Sequence, residues 1–490
     1  MHKKVVLLAV IGAMLIALLL PVSAVADDIQ LCRIKASPWQ TVSLGFPVAP
    51  ERLVNYSKPK ILVIPFKLKD NPNYKFTPEF KKDYEEASAN IGMFSNGKSI
   101  PEFVILPTIE TDFTNKTMED LRAIQQNANQ WKDESVSTWG FVRKFIAAHD
   151  STIDFKGVSG VILEGSSTSF SSSIGEAMMM SSNRGDPYFR AVETNEGKIY
   201  NFSLLDQHKS AEIITHEVMH LYGLTDLYGS NDGPGDLSLM SNSTINLLSY
   251  EKWVLGWLPD SDVQCLSSVS PSNIYKFSFD YAKTDQVLVI RAETGEDFIV
   301  ETTKVRGQKY LAFYSLNNEA RPPITVYQNS YVRQSRGIDI GDFTAIGTQM
   351  KSNKHTLLIS SMDSSSITLH FASTSQTSSS EFKDVVSKSA ELRSKFDQEA
   401  QAKARAASDA RAAEALKMKQ EADAKAAEAL KVKEEAEAKA ASELKAKKDA
   451  EAKAAIPTVV KKSTITCTKG KLIKKVTAVN PKCPTGYKKK

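Results

Sequence analysis

The eleven residues from His216 to Asp226, HEVMHLYGLTD, constrain the fold of this 490-residue chain more than any other segment. On a helix, His216 and His220 lie four residues apart on one face, so both imidazoles can bind one zinc ion. Glu217 lies beside them, where its carboxylate can take a proton from a water that the metal activates. Gly223 can end the helix in a left-handed turn that returns Asp226 to the metal as a third ligand. Three protein ligands leave one open position, which is typical of catalytic zinc.

The simpler alternative is an ordinary helix that happens to carry two histidines. The chain has only seven His, which makes such a coincidence harder to accept. The surrounding pattern also predicts a buried helix, with Ser210 as its N-cap. Its core-facing residues recur at helical spacing: Ile214, Val218 and Leu221.

Other residues near the motif are candidates for supporting roles. Glu251 is the rival third ligand, because some HExxH enzymes take a glutamate from a second helix, but the turn at Gly223 favours Asp226. Asp232 and Asp236 lie in a Gly-rich loop that could bind Ca²⁺, although a solvated turn is the simpler interpretation. Four residues are candidates for the group that would stabilise an oxyanion, and the sequence does not choose among them: Tyr222, Tyr228, Tyr250 and His208.

The N-terminal segment, residues 1–26, is typical of an export signal. It has a basic start, an apolar run from Val5 to Leu20 and small residues at Ala24–Ala26 before Asp27. An uncleaved anchor is the alternative, but the apolar run is shorter than a comfortable membrane span. We therefore expect a protein that is secreted or associated with the cell surface.

Four cysteines fit an oxidising location and allow three pairings. We predict the disulfides Cys32–Cys265 and Cys467–Cys483, because a long charged segment separates the two sets. A four-cysteine zinc site is the alternative, but the close paired spacing of such sites is missing.

The chain's formal net charge of +5 conceals an asymmetry. Residues 457–490 contain ten Lys and neither Asp nor Glu, so the remainder of the chain has a net charge of −5. A basic tail on an acidic body predicts attraction to an anionic cell-envelope surface, with no specific nucleic acid expected for an exported protein. A solvated tail that binds nothing specific is the alternative.

Changes in residue pattern along the chain predict further domain boundaries. From about Lys60 to Trp257 the chain alternates strand-like and helix-like segments. This alternation predicts an α/β (α+β) catalytic domain, assigned to residues 27–262, that includes the zinc helix. Strands are expected at Ile61–Phe66, Glu102–Leu106 and Val158–Gly165, and helices at Thr117–Asn127 and Val142–His149. Residues 263–373 contain short β-rich runs separated by turn residues, which predict a β-sandwich-like domain. A Ser/Thr-rich linker follows at residues 374–380.

Residues 381–456 are rich in Ala, Glu and Lys and contain a 14-residue repeat marked by Leu416, Leu430 and Leu444. This composition predicts one long helix of roughly 110 Å at 1.5 Å per residue. A coiled coil is the alternative, since fourteen residues make two heptads. However, Gln420 and Asp423 fall where the seam would lie, so the apolar stripe is thin and a solvent-bridging helix is favoured.

Three blocks of sequence resemble the immune inhibitor A family of secreted bacterial metallopeptidases. They are HEVMHLYGLTDLY from His216, DLSLMS from Asp236 and LSYEKWVLGW from Leu248, and they keep the order and approximate spacing expected of that family. Together they cover about fifty residues. The chain departs from the family pattern at Thr225, where proline is usual, and at Leu237, where an aromatic residue is usual. Separately, residues 464–490 resemble a short terminal module of exported actinobacterial proteins.

The first resemblance implies a zincin-like catalytic domain and endopeptidase activity on protein or peptide substrates outside the cell. It implies that His216, His220 and Asp226 bind Zn²⁺, that Glu217 is the catalytic acid/base, and that Met240 forms the methionine turn beneath the metal. The rival hypothesis is an envelope-binding or adhesion protein whose zinc domain is vestigial. An intact Glu217 favours the peptidase. The oligomeric state is left open by the sequence.

Overall fold

A computed structural model describes the chain apart from residues 1–27, 37–39, 126–134, 169–174, 181–189, 229–232, 243–244, 281, 293–296, 306, 321–322, 328–337, 340–344 and 455–459. The predicted export signal, residues 1–26, therefore lies outside the described residues. The chain forms two compact units, Met1–Gln398 and Glu399–Lys490. Within the described residues, no helix has the length and apolar character that crossing a membrane requires.

The first unit begins with a mostly parallel β-sheet. The strands of this sheet are β1 (Lys60–Lys67), β2 (Glu102–Ile105), β3 (Ile109–Glu110), β4 (Gly160–Glu164), β5 (Gly175–Met179) and β8 (Asn201–Leu205). Strands β6 (Val192–Thr194) and β7 (Gly197–Ile199) form a separate hairpin. The order is β2-β1-β4-β8-β5, with β3 also paired to β1. Only β5 runs antiparallel, at the edge next to β8. The three predicted strands are confirmed as β1, β2 and β4.

Helices cover both faces of this sheet. They are α1 (Pro78–Phe94), α2 (Asn115–Gln125), α3 (Thr138–His149), α4 (Ala211–Tyr222) and the short α5 (Ser249–Val254). Alternate residues of β1 point to opposite faces, so Val63 belongs to the core beneath α1 and α4, whereas Ile64 belongs to the core beneath α2 and α3. The predicted mixed α and β architecture and its two helices are confirmed, with residues 126–127 of the first outside the described residues.

Residues 263–373 form two sheets that share one apolar cluster, which confirms the predicted β-sandwich-like arrangement. One sheet has the order β14-β13-β12-β11-β9 with β15 paired to β13, and the other has the order β10-β18-β17-β16. The strands are β9 (Val263–Val269), β10 (Ile274–Asp280), β11 (Gln286–Ala292), β12 (Asp297–Val305), β13 (Gln308–Leu316), β14 (Ile324–Val326), β15 (Ile338–Asp339), β16 (Gln349–Lys351), β17 (His355–Met362) and β18 (Ser366–Ser373).

The sandwich shares a core with the preceding domain. On β11, Leu288 faces the second sheet, whereas Val289 belongs to the cluster that also contains Val218 of α4. The sheet containing β11 is therefore buried on both faces. The predicted disulfide Cys32–Cys265 is present and joins the N-terminal segment to β9. The boundary at residue 262 separates secondary-structure elements rather than independent cores.

The predicted long helix is present as α6 (Ser380–Ala454), preceded by a short 3-10 turn at Gln376–Ser378. Every residue from Gln398 to Glu451 is exposed, as the thin apolar stripe predicts. The first turns correct that prediction. Phe382 is 1% exposed and packs in a cluster with residues of β17 and β18, and Phe396 packs partly against the sandwich core. The helix therefore begins as part of the sandwich, because its first turns carry larger apolar side chains than its repeats do.

The C-terminal residues form a small three-stranded sheet. Its strands are β19 (Ser463–Lys469), β20 (Leu472–Ala478) and β21 (Lys488–Lys489), in the order β20-β19-β21. The predicted disulfide Cys467–Cys483 is present, and Cys467 is fully buried.

Candidate active site and metal centre

Helix α4 presents the motif from a buried position. Ser210 occupies its N-cap, although the serine side chain makes no capping hydrogen bond. Gly223 ends the helix with a φ of 117°, and its amide donates to the carbonyl of His220. A Cβ at this position would lie 2.7 Å from Val48 Cγ1, so both the backbone dihedral and the available space favour glycine. The residues predicted to face the core are fully buried: Ile214, Val218 and Leu221.

The turn after Gly223 brings Asp226 back to the two histidines. Asp226 Oδ1 lies 3.2 Å from Nε2 of His216 and 3.2 Å from Nε2 of His220. The two imidazole rings are perpendicular, with centroids 4.8 Å apart. All three potential ligand atoms lie within 4.8 Å of one another. The three predicted metal ligands therefore come together.

This donor set fits zinc. Imidazole nitrogen and carboxylate oxygen bind zinc at about 2.0–2.2 Å, so two ligands of a tetrahedral ion are separated by roughly 3.3 Å. The distance from Asp226 Oδ1 to each histidine Nε2 is 3.2 Å, which matches that separation. The two separations between Asp226 and the histidines are thus compatible with a shared ion.

Backbone carbonyls orient both imidazoles. His216 Nδ1 lies 3.0 Å from the carbonyl of Leu239, and His220 Nδ1 lies 2.8 Å from the carbonyl of Leu224. A carbonyl only accepts hydrogen bonds, so each Nδ1 carries the donated proton and each Nε2 faces Asp226. Such partners behind the ligands are characteristic of histidines that bind metal.

Opposite charges within this cluster shift the pKa values of its members. Burial opposes ionisation of Asp226, but the adjacent His220 and His216 hold its pKa well below the ordinary value. Burial likewise opposes protonation of His220, but Asp226 and Glu217 raise its pKa to about 9. A divalent cation would replace the proton that the cluster retains, so metal binding should release protons.

The side chain of Glu217 extends from helix α4 toward the edge strand β5. Its side chain is 6% exposed. A Cβ at Gly175 of β5 would lie 2.6 Å from Glu217 Oε1, so the missing side chain leaves room for the carboxylate. Burial raises the pKa of Glu217, although His220 and His216 partly oppose the shift. A higher pKa makes this carboxylate a stronger base than an exposed glutamate.

A cleft of about 260 Å³ opens beside His216. Tyr228 forms part of its wall, and its ring stacks on His216 with centroids 6.1 Å apart. Burial, followed by the charges of Asp226 and Glu217, raises the pKa of the Tyr228 hydroxyl, which also donates to Asp226. Tyr228 is therefore a neutral donor at the cleft. The lining residues are Glu212, Ile213, His216, Tyr228, Leu239, Ser241 and Asn242.

The other three oxyanion candidates do not line this cleft. Tyr222 is fully buried and its hydroxyl lies 2.7 Å from Ser99 Oγ. Tyr250 is fully buried against Trp253. His208 lies between two carboxylates, with Nδ1 3.2 Å from Glu164 Oε1 and Nε2 2.7 Å from Asp83 Oδ2. Of the four candidates, Tyr228 is the one that lines the cleft in the part of the chain that the structure describes.

Glu251, the rival third ligand, supports the site from behind. It is fully buried and accepts a hydrogen bond of 2.8 Å from Ser238 Oγ, which also accepts one of 3.0 Å from the Met240 amide. These bonds shape the turn whose Leu239 carbonyl holds His216. The structure does not bring Glu251 into the group formed by the histidines and Asp226.

Glu301 of β12 ties this region to the sandwich. Its carboxylate accepts from the amides of Ser249 and Tyr250 at the start of α5, at 3.2 and 2.8 Å. Glu251 in turn accepts from the amide of Leu248 at 2.7 Å. Burial is the main cause that raises the pKa of Glu251 to about 7 and that of Glu301 to about 8. Two buried carboxyl groups thus link the sandwich to the turn behind the predicted metal ligands.

Two further predictions concern neighbouring loops. Met240 is fully buried, and its carbonyl accepts a hydrogen bond of 2.8 Å from the Leu227 amide, so it packs next to the segment that follows the motif. For calcium, Asp232 lies outside the described residues, and Asp236 accepts a hydrogen bond from Asn242. Within the described residues, His216, His220 and Asp226 form the single group of three or more His, Cys, Asp or Glu side chains that could bind a metal ion.

Sequence reasoning missed Gly175, Ser238 and Glu301. Gly175 and Glu301 contact segments distant along the chain, and nothing in the local pattern marks them. Ser238 lies within the DLSLMS block, but its hydrogen bond to Glu251 could not be read from that block. No protein-family model matches the chain, and no curated protein matches it. The residues of the site therefore carry the functional interpretation.

Proposed function

We propose that this chain is a secreted zinc endopeptidase of the kind that the immune inhibitor A family represents. The observation that carries the proposal is the position of Asp226 Oδ1, 3.2 Å from each histidine Nε2, beside the buried Glu217. Histidine, histidine and aspartate would hold the metal. Carbonyl partners on both Nδ1 atoms support a preorganised ligand set.

Zinc bound to these residues would supply Lewis-acid chemistry, polarising a scissile carbonyl and acidifying water. Glu217 would accept the water proton and pass it to the leaving amine, a role that its desolvated carboxylate supports. Tyr228 is the candidate donor to the developing oxyanion, because its neutral hydroxyl lies at the wall of the cleft. Tyr228 would exchange its hydrogen bond with Asp226 for one with the substrate.

The edge of the first sheet supports an extended peptide as substrate. Among the described strands, β5 pairs with β8 on one side only. Its residue Gly175 lies against Glu217, so a peptide added along the free edge of β5 would pass the catalytic carboxylate. Backbone pairing of this kind binds peptides with little dependence on their side chains. We therefore propose protein substrates, cut at internal bonds.

Export is part of the same proposal. Two disulfides, Cys32–Cys265 and Cys467–Cys483, are consistent with an oxidising compartment. The proposed signal, residues 1–26, would direct the chain there.

The test is Glu217→Gln in the otherwise complete chain. We expect zinc content and fold to be retained, with casein hydrolysis lowered by about 10²–10⁴-fold, because the base is lost while the ligands remain. Glu196→Gln, in an exposed turn, is the matched control and should match the wild type. Proteolysis by the Glu217 variant at the wild-type rate would contradict the assignment. Zinc binding by the wild type without any hydrolysis would favour the envelope-binding alternative.

A further inference from the structure

The C-terminal sheet exposes an apolar pair at one end. Strands β19 and β20 form a hairpin whose last pairs are Thr468–Ile473 and Lys469–Leu472. Leu472 and Ile473 are 63% and 64% exposed. Neighbouring residues of a strand point to opposite faces, so each face of the hairpin tip carries one exposed apolar side chain. We call Lys469–Ile473 the hairpin tip.

The tip has a defined conformation. Gly470 has a φ of 66°, which permits the tight reversal between the strands. Cys467 at the centre of β19 is fully buried and bonded to Cys483. The Lys490 amide donates to the Thr466 carbonyl at 2.9 Å, which holds the chain end against the same strand. Exposure of the apolar pair is therefore a feature of the folded sheet.

Lysines surround the apolar pair. Residues 457–490 contain ten Lys without Asp or Glu. On β21, Lys488 pairs with Thr468 beside the tip. The lysines of the hairpin are all exposed: Lys469, Lys471, Lys474 and Lys475. The tip thus combines exposed aliphatic side chains with a surrounding positive charge.

We propose that the hairpin tip binds an anionic lipid bilayer, with Leu472 and Ile473 inserted at the headgroup level and the lysines on lipid phosphates. Stable attachment to a membrane typically needs both an apolar and a basic contribution, and the tip has both. A soluble polyanion would satisfy the lysines but offer nothing to the apolar pair, so the bilayer is favoured. This inference is independent of the proposed peptidase activity.

The test uses the full mature chain and vesicles of phosphatidylglycerol and phosphatidylcholine in equal parts. Leu472→Ser with Ile473→Ser should weaken cosedimentation by at least about tenfold, because the apolar burial is lost. The matched control is Val460→Ser with Val479→Ser, since those valines are 57% and 56% exposed at the opposite end of the hairpin. The control should bind as the wild type does. An intact Cys467–Cys483 bond, measured by mass, verifies the fold of each variant.

A second arm separates charge from insertion. Lys474→Gln with Lys475→Gln should weaken binding to the anionic vesicles by about fivefold per lysine. Equal vesicle binding by the wild type and the Leu472/Ile473 variant would overturn the proposal. If both also bind soluble polyphosphate with their vesicle affinity, the ligand is a polyanion rather than a bilayer, and the proposal is again overturned.

Discussion

Helix α4 has twelve residues, nine of them buried, whereas α6 has 75 residues and is exposed on every side from Gln398 to Glu451. The composition of α4 is unfavourable for an isolated helix, because Ile213, Ile214, Thr215 and Val218 are β-branched. Its stability must come from packing and from its ending at Gly223. Helix α6, in contrast, is stabilised mainly by the helix propensity of its own residues. Its repeats consist largely of good helix formers, with ion pairs such as Lys433–Glu437 at 3.8 Å.

The two helices should therefore differ in their sensitivity to substitution. Residues of α4 are held by several other segments, so altering their partners should alter the proposed metal site. Residues of α6 beyond Gln398 contact solvent, so altering them should leave the first unit intact. The first turns of α6, which pack on the sandwich through Phe382, should behave like α4.

The largest expected effect is on the metal. Asp226→Ala removes a ligand and should weaken zinc binding by more than the roughly 10–100-fold typical of groups behind the ligands. Glu251→Ala should retain zinc better but lower stability, because the Ser238 hydroxyl and the Leu248 amide lose a buried partner. Metal content after dialysis and the denaturation midpoint measure both. The reverse pattern would make Glu251 the ligand.

Packing along α6 should produce the next largest effect. Phe382→Ala should reduce the free energy of unfolding of the first unit by about 3 kcal/mol, since Phe382 is 1% exposed. Leu430→Ala removes a side chain that is 59% exposed, so its effect should stay within about 0.5 kcal/mol. A chain ending at Gln398 should keep the stability of the complete chain, whereas one ending at Ser379 should not. Urea denaturation of the four proteins measures this, and equal midpoints would show that α6 does not stabilise the first unit.

The smallest expected effect is a dependence of stability on pH. The pKa of Glu301 is raised to about 8, mainly by burial, so the folded chain binds more protons than the unfolded chain above the ordinary glutamate pKa. The stability that this uptake provides is complete below about pH 4.5 and is lost as the pH rises through about 8. We expect the free energy of unfolding to decline as the pH rises through this range.

Glu301→Gln should flatten this dependence, whereas Glu428→Gln on the exposed part of α6 should not change it. Urea midpoints measured between about pH 5 and pH 8 test the difference. An equally steep profile in the Glu301 variant would assign the dependence to other groups.

Much of the fold was predictable from local pattern. The strands from Ile61 to Phe66 and from Val158 to Gly165 appear where apolar runs indicate them, and α6 appears where Ala, Glu and Lys dominate. The spacing of β-rich runs after residue 262 indicated a sandwich. The core that the sandwich shares with α4 was not predictable. The sequence pattern of a strand does not show whether its second face is also buried, or which domain would cover that face.

The arrangement of His216, His220 and Asp226 was predictable from the sequence alone, because a helical repeat and a glycine turn are properties of the backbone over a few residues. The packing of distant segments was needed to show that Tyr228 lines the cleft beside His216 and that Glu251 lies behind the turn. It also revealed that Gly175 makes room for Glu217 and that Glu301 holds α5. These contacts join segments distant along the chain, and their distances depend on how whole layers pack rather than on any local pattern.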